Sequence, residues 1–295
     1  MQTKHQIESL LASAGVGPNK RLGQNFLIDL NLMRFLIDSA GIEAGDVVLE
    51  VGCGTGSLTE GLAEKAGAVV SVEYDKNLVP IARKQVAGKA NVEIINSDIL
   101  ENKNTLCIEA MEKIEEAKAK LGGRCLLVAN LPYNVAAPVI VNLVTGRVAA
   151  DRMYVTVQRE VAERMVAGAG DKKYGVLSIM LAAAGEVKII RKLGASVFWP
   201  RPQVESAMVS FIRDEEKVGR ISDFAVFREV VNLLMSHRRK MVKACTKFAA
   251  GGLAKVEDWG HIFEQANIDP TCRGGELSCE DYIAIANLCG KALKQ

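Results

Sequence analysis

Only three histidines occur among the 295 residues, at His5, His237 and His261, too scattered to build a metal site. The seven cysteines are an odd number and show no C-x-x-C spacing. Cys53, Cys107, Cys125, Cys245, Cys272, Cys279 and Cys289 therefore read as reduced thiols of a cytoplasmic protein, not as a disulfide framework. No apolar run approaches the roughly 20 residues that a membrane span requires. The start, Met1-Gln2-Thr3-Lys4-His5-Gln6, lacks the apolar core of a secretion signal. Internal repeats and low-complexity tracts are also missing. What remains is a chain 49% apolar and 24% charged, a folded globular composition long enough for one large domain and a small one.

The net charge of +2 conceals an asymmetry. Between Arg228 and Lys255 stand seven bases and one acid, Glu229. Arg238, Arg239, Lys240, Lys243 and Lys247 recur at helical spacing. A helix over 238–248 would present them as a basic stripe suited to a phosphate backbone, although a solvated face is the commoner meaning of such a run.

From residue 46 to 157, strand and helix patterns alternate. Strands are expected at 46–51, 68–73, 92–95, 125–129 and 153–157, with helices at 57–65, 77–86, 105–121 and 135–144. This is the pattern of a doubly wound, mostly parallel α/β sheet. Helices at 161–167 and 174–184 and strands at 186–191 and 206–212 follow, the last two expected to give the sheet an antiparallel end. Asp214-Glu215-Glu216-Lys217 reads as a linker. Beyond it the periodicity is helical, with helices at 224–235, 238–248, 256–266 and 279–288. The predicted domains are 1–213, with a short helix and a mobile Gly-rich loop at its start, and an all-α domain at 214–295.

Two stretches carry the chemistry. Glu50-Val51-Gly52-Cys53-Gly54-Thr55-Gly56 lies where the first strand of the alternating pattern turns into its helix, and glycines there let a ligand approach the backbone. The register G-x-G-x-x-G of a dinucleotide site fails, because Ser57 stands at the third position. The observed G-x-G-x-G, with an acid two residues earlier, resembles the first motif of class I methyltransferases. Glu73 ends the second strand of the pattern, where a carboxylate can accept both hydroxyls of a ribose. Asp98 follows the third and could accept an adenine amine. The second stretch is Asn130-Leu131-Pro132-Tyr133 at a strand tip. An Asn, a stiff Pro without an N–H and an aromatic form a small cup. Carbonyls can accept the N–H bonds of an exocyclic amine there while Tyr133 stacks on the planar base.

With these residues in place the chain resembles the rRNA adenine N6,N6-dimethyltransferases over nearly its whole length. Leu22-Gly23-Gln24-Asn25-Phe26-Leu27 is similar to that family's N-terminal motif. Phe198-Trp199-Pro200-Arg201-Pro202-Gln203-Val204-Glu205-Ser206 is similar to its late F-x-P-x-P-x-V-x-S motif. Ser236 to Lys240 and Ile268-Asp269-Pro270 look most like the bacterial small-subunit enzymes. The resemblance implies S-adenosylmethionine as methyl donor and S-adenosylhomocysteine as product. It puts Asn25 and Leu27 over the methionine side, Gly52 and Gly54 against the cofactor, Glu73 on the ribose, Asp98 at the adenine, and Asn130 between cofactor and target base. Asn130, Leu131, Pro132 and Tyr133 become the catalytic cup, and Phe198 a second stacking face. The implied substrate is two adjacent adenosines in the 3′-terminal hairpin loop of small-subunit rRNA, in an immature 30S particle. Arg238 to Lys247 are implied to hold the RNA. A cytoplasmic monomer without metal is expected. A large-subunit rRNA or DNA adenine methyltransferase, or a non-catalytic assembly or transcription factor on the same fold, are the alternatives. The charged helix from Asn102 to Lys120 is longer than the family leads one to expect.

Overall fold

The computed structural model describes residues 1–19 and 22–294. Lys20 and Arg21, in the Gly-rich loop, and Gln295 lie outside the described residues. Contacts divide the chain into two compact units, one of residues 1–162 with 188–212, the other of residues 163–187 with 213–295. The sequence boundary near residue 213 thus differs from the contact boundary: 163–187 groups with the C-terminal helices, although it precedes the last two strands of the sheet.

The first unit opens with α1 (Lys4–Ser13), β1 (Phe26–Leu27) and α2 (Leu30–Ala40). The Asp29 carboxylate caps α2 by accepting the N–H groups of Asn31 and Leu32. The alternating part runs β2 (Val47–Val51), α3 (Ser57–Ala63), β3 (Ala68–Glu73), α4 (Val79–Gln85) and β4 (Val92–Asn96). It continues through a hairpin, β5 (Leu100–Asn102) and β6 (Thr105–Leu106), to α5 (Ile108–Leu121), β7 (Cys125–Asn130), α6 (Ala136–Thr145), β8 (Arg152–Gln158) and α7 (Arg159–Met165). After α8 (Val176–Ala184) come β9 (Gly185–Leu193), β10 (Phe198–Trp199) and β11 (Ser206–Arg213). Seven strands form one sheet in the order β4-β3-β2-β7-β8-β11-β9. The pairs β4/β3, β3/β2, β2/β7 and β7/β8 are parallel, and β11 runs antiparallel to β8.

Val47 to Val51 and Cys125 to Ala129 are buried along their whole length, because helices cover both faces of a parallel sheet. The chain leaves β2 toward β3 and β4, then returns on the other side of β2 as β7. The gap beyond the carboxyl ends of β2 and β7 is therefore the switch point at which such sheets bind ligands.

Three elements depart from the sequence expectation. The charged helix starts at Ile108, not at 102 or 105, since Leu100–Leu106 pairs locally as a hairpin. Its charges are used on the surface: Arg147 pairs with Glu115, and Lys118 lies 3.6 Å from Asp151. The expected linker at 214–217 is the start of a short helix, α9 (Glu215–Gly219), capped by the Asp214 carboxylate. The basic helix over 238–248 is largely absent. Arg238 to Lys240 occupy a turn after α10 (Phe224–Ser236), and only Val242–Cys245 is α-helical (α11), followed by a 3-10 turn at Thr246–Phe248. The second unit is completed by α12 (Trp259–Gln265) and α13 (Cys279–Ala292). Among the described residues no helix is long and apolar enough to cross a membrane.

Candidate active site

The switch point holds a cavity of about 300 Å³, lined entirely by residues of the first unit. Its walls come from both motifs and from the N-terminal segment: Gly52 and Gly54 after β2, Glu73 at the end of β3, Asp98 after β4, Asn130 to Tyr133 at the tip of β7, and Asn25 and Leu27. The structure thus brings these sequence-predicted residues together around one cavity.

The glycine loop and the cup interlock. Gly52 has φ +79°, and a Cβ there would lie 2.9 Å from Pro132 Cγ. Gly54 has φ +57°, and a Cβ there would lie 2.9 Å from the Phe26 ring. Neither position admits a larger residue, for reasons of backbone conformation and of contact. Phe26 also stacks on Trp199 at 6.1 Å between centroids, and β1 pairs with β10 through Phe26–Trp199 and Leu27–Phe198. The N-terminal motif and the late motif are therefore one small sheet laid against the glycine loop.

Glu73 is 6% exposed. Its Oε2 accepts the Gly54 N–H and its Oε1 the Asp75 N–H, both at 2.8 Å. Burial pushes its carboxyl above the usual range, with the backbone donors pulling the other way. The exposed Asp98 uses Oδ1 to accept the Leu100 N–H at 2.9 Å. Both keep lone pairs for a ligand. Glu50, which sequence reasoning noted only as part of the motif, is fully buried and accepts the hydroxyls of Thr59 at 2.6 Å and Ser71 at 3.0 Å. Burial raises its pKa to about 7, and the nearby Glu73 charge adds to the rise.

At the cup, the Asn130 Nδ2 donates to the Asn25 carbonyl at 2.9 Å, and the Asn130 Oδ1 accepts the Thr156 hydroxyl. The Asn25 amide in turn donates to the Gly23 carbonyl at 2.9 Å. The Tyr133 hydroxyl lies 2.8 Å from Ser206 Oγ, so the last residue of the late motif anchors the stacking ring. Burial pushes the Tyr133 phenol up. Gln24, whose place in its motif had no assigned role, donates from Nε2 to Asp75 at 2.8 Å and accepts the Asn19 N–H at 2.7 Å. It ties the Gly-rich loop to the end of β3.

One expected site residue is elsewhere. Phe198 is 2% exposed, packs in the core with Leu27, Met33 and Leu36, and does not line the cavity. Its place as strand partner of Leu27 makes it part of the core. Tyr74, missed by the sequence reading, lines the cavity and is 60% exposed. Its signal was present: an aromatic directly after the acid that ends β3. Arg238, Arg239, Lys240, Lys243 and Lys247 are all exposed in the second unit, but on a turn, a short helix and a 3-10 turn, not along one helical face. Arg238 donates to the Lys172 carbonyl at 3.1 Å, and Lys240 Nζ sits 4.8 Å from the Phe248 ring centre. Among the described residues no cluster of His, Cys, Asp or Glu could hold a metal.

Residues 17–285 match the family model described as ribosomal RNA adenine dimethylase. The chain belongs to that family. It is 37% identical over 279 residues to the ribosomal RNA small subunit methyltransferase A of Alkaliphilus oremlandii, covering 93% of each chain. It is 34% identical over 286 residues to the protein of the same name from Geobacillus thermodenitrificans, covering 97% of this chain and 95% of the relative. Among solved structures it resembles a dimethyladenosine transferase from Plasmodium falciparum, with TM-score 0.68, 24% identity and coverage of 90% and 98%. It also resembles the 23S rRNA methyltransferase ErmE, with TM-score 0.59, 19% identity and coverage of 92% and 100%. These two share the fold, a class I methyltransferase sheet with a helical C-terminal region. The cavity fits the methyl donor of such enzymes, S-adenosylmethionine. The glycine loop presents its backbone to the cavity, and the Glu73 and Asp98 carboxylates beside it could accept hydrogen bonds from such a ligand.

Proposed function

We propose that this member of the family transfers methyl groups from S-adenosylmethionine to N6 of two adjacent adenosines in the 3′-terminal hairpin loop of small-subunit rRNA, acting on an immature 30S particle. The observation that carries the reading is the cup at the end of β7, opening on the same cavity as the glycine loop of β2. The small-subunit choice draws on the relatives: those sharing about a third of their residues with this chain carry the small-subunit name, whereas the 23S enzyme shares 19%.

When bound, S-adenosylmethionine supplies a methyl group on a positively charged sulfur, already activated for transfer. Gly52 and Gly54 let the backbone close on it, Glu73 holds the ribose hydroxyls, and Asp98 accepts from the adenine amine. Tyr74 offers that adenine a flat face, and Asn25 and Leu27 cover the methionine side. The protein needs no strong base. The lone pair of an adenine amine is delocalised into the ring, so the task is to reshape and align that nitrogen and to exclude water. In the first transfer Asn130 Oδ1 and the Leu131 carbonyl accept the two N6 hydrogens, and in the second one of them accepts the hydrogen that remains, which favours a tetrahedral nitrogen with its lone pair exposed. Tyr133, held by Ser206, stacks on the extruded base, a contact worth about 1–3 kcal/mol. The proton leaves once the nitrogen has become cationic. The basic residues from Arg238 to Lys247 serve the RNA backbone.

The test supplies methyl-labelled S-adenosylmethionine with unmethylated 30S subunits, naked rRNA and DNA. Label in N6,N6-dimethyladenosine of the 30S sample alone is expected. Label in DNA or in large-subunit rRNA instead would overturn the substrate, and label nowhere would favour a non-catalytic role on this fold.

A further inference from the structure

We infer that Thr156 is a positioning residue for methyl transfer: its hydroxyl, one strand away from the cup, anchors the Asn130 side-chain oxygen in the orientation that the Asn25 carbonyl selects, so that this oxygen can face the target amine. The inference rests on the reading of Asn130 as an acceptor for that amine, and it adds a residue that neither motif contains.

Asn130 ends β7, and Thr156 is its register partner in β8. Partners in parallel strands carry their side chains on the same face, so the two groups are neighbours by topology. Thr156 is completely buried, and a hydroxyl so placed requires a partner. Among the described residues that partner is Asn130 Oδ1.

The orientation follows from what each partner can do. A hydroxyl both donates and accepts, so Thr156 by itself would tolerate either end of the amide. The Asn25 carbonyl can only accept, and it lies 2.9 Å from the Asn130 nitrogen. A flipped amide would set carbonyl against carbonyl at that end. With Nδ2 on Asn25, the oxygen is left to Thr156, whose proton then takes one of its two acceptor sites. One site remains for an N6 hydrogen. Without the Thr156 donor the oxygen loses its anchor inside the protein. The side chain can then rotate so that its NH2 meets the NH2 of the base, where no acceptor is offered. Thr156 acts through Asn130 and does not itself touch the base.

The experiment compares Thr156→Val, Thr156→Ser and wild type. Thr156→Val, close in shape but without the donor, should lower kcat on 30S subunits about tenfold, while cofactor affinity stays within about threefold. Thr156→Ser should recover most of the lost rate, because it restores the hydroxyl. If valine does not fold at this position, Thr156→Ala against Thr156→Ser decides the same question. A readout that needs no turnover is the side-chain 15N–1H pair of Asn130, identified by its loss in Asn130→Ala. It should match between wild type and Thr156→Ser, and shift or broaden in Thr156→Val. A kcat within about twofold of wild type in Thr156→Val overturns the inference. So does an unmoved amide signal, or a parallel fall in melting temperature and cofactor affinity in both valine and serine variants. A wild-type protein inactive on 30S subunits would refute the proposed function, and the amide signal would still decide the role of Thr156.

Discussion

In the proposed mechanism Asn130 concentrates the chemistry in one side chain, and its neighbours show why substitution should separate catalysis from binding. Asn130→Ala removes an acceptor for the target amine without touching the ribose or adenine contacts. Methyl transfer should be abolished, with cofactor affinity within about tenfold, as single-turnover assays and calorimetry would show. Glu73 is the converse case. Its carboxylate accepts the Gly54 and Asp75 N–H groups and, in the proposed mechanism, the sugar hydroxyls as well. Glu73→Ala should therefore weaken S-adenosylmethionine binding by about 1.5–3 kcal/mol, and unchanged calorimetric affinity would reduce Glu73 to a strand-end acid. Glu50 carries a pH signature. Its folded pKa of about 7 lies above the 4.5 of an ordinary glutamate, so the unfolded chain gives up the proton first as pH rises. Stability should fall between about pH 4.5 and 7 and level off above. Glu50→Gln should flatten that slope in melting curves taken across the window; parallel curves for variant and wild type would contradict the assignment.

Among elements, the decisive fact is that the motifs touch. The glycine loop needs Gly52 because Pro132 of the cup occupies the space of a Cβ, and it needs Gly54 because Phe26 does the same. Gly52→Ala combines a left-handed backbone with an overlap, a cost of about 1–3 kcal/mol. It should lower the melting temperature and kcat together. Loss of cofactor affinity with unaltered melting would mean that the glycine serves the ligand alone. Much of this layer was legible in the sequence. The strand and helix pattern from 46 to 157 is set by runs of buried residues, which continuous apolar stretches separated by polar turns reveal directly. The basic helix at 238–248 was not legible, since helical spacing of lysines and arginines describes a face only if the backbone is helical. A turn at Arg238–Lys240 interrupts it. The same limit applies to Leu100–Leu106, where a local hairpin displaced the first turns of a charged helix.

For the molecule as a whole, the cavity belongs to one unit and the basic cluster to the other. Substrate grip and cofactor binding should therefore come apart. Replacing Arg238, Arg239 and Lys240 together by Ala should weaken 30S binding and reduce the slope of log affinity against log salt by about two to three. Cofactor affinity should be untouched. Arg238 also bonds the Lys172 carbonyl, so far-UV circular dichroism and a melting curve must accompany the titration. An unaltered slope in a folded variant would shift the RNA contact to Arg152 and Lys172; Arg147 is already paired with Glu115, and Lys173 with Glu163.

Local patterns in the chain specify the sheet, the glycine loop, the cup and the acids at strand ends, because the backbone consequence of each is nearly obligatory. That Phe198 is core, that Ser206 anchors Tyr133 and that Thr156 bonds Asn130 emerge only from the folded arrangement. These depend on which strands become neighbours and in what register. Asn130 and Thr156 stand 26 positions apart, and Tyr133 and Ser206 stand 73 apart. No periodicity links such pairs; they meet because β8 lies between β7 and β11 in the sheet.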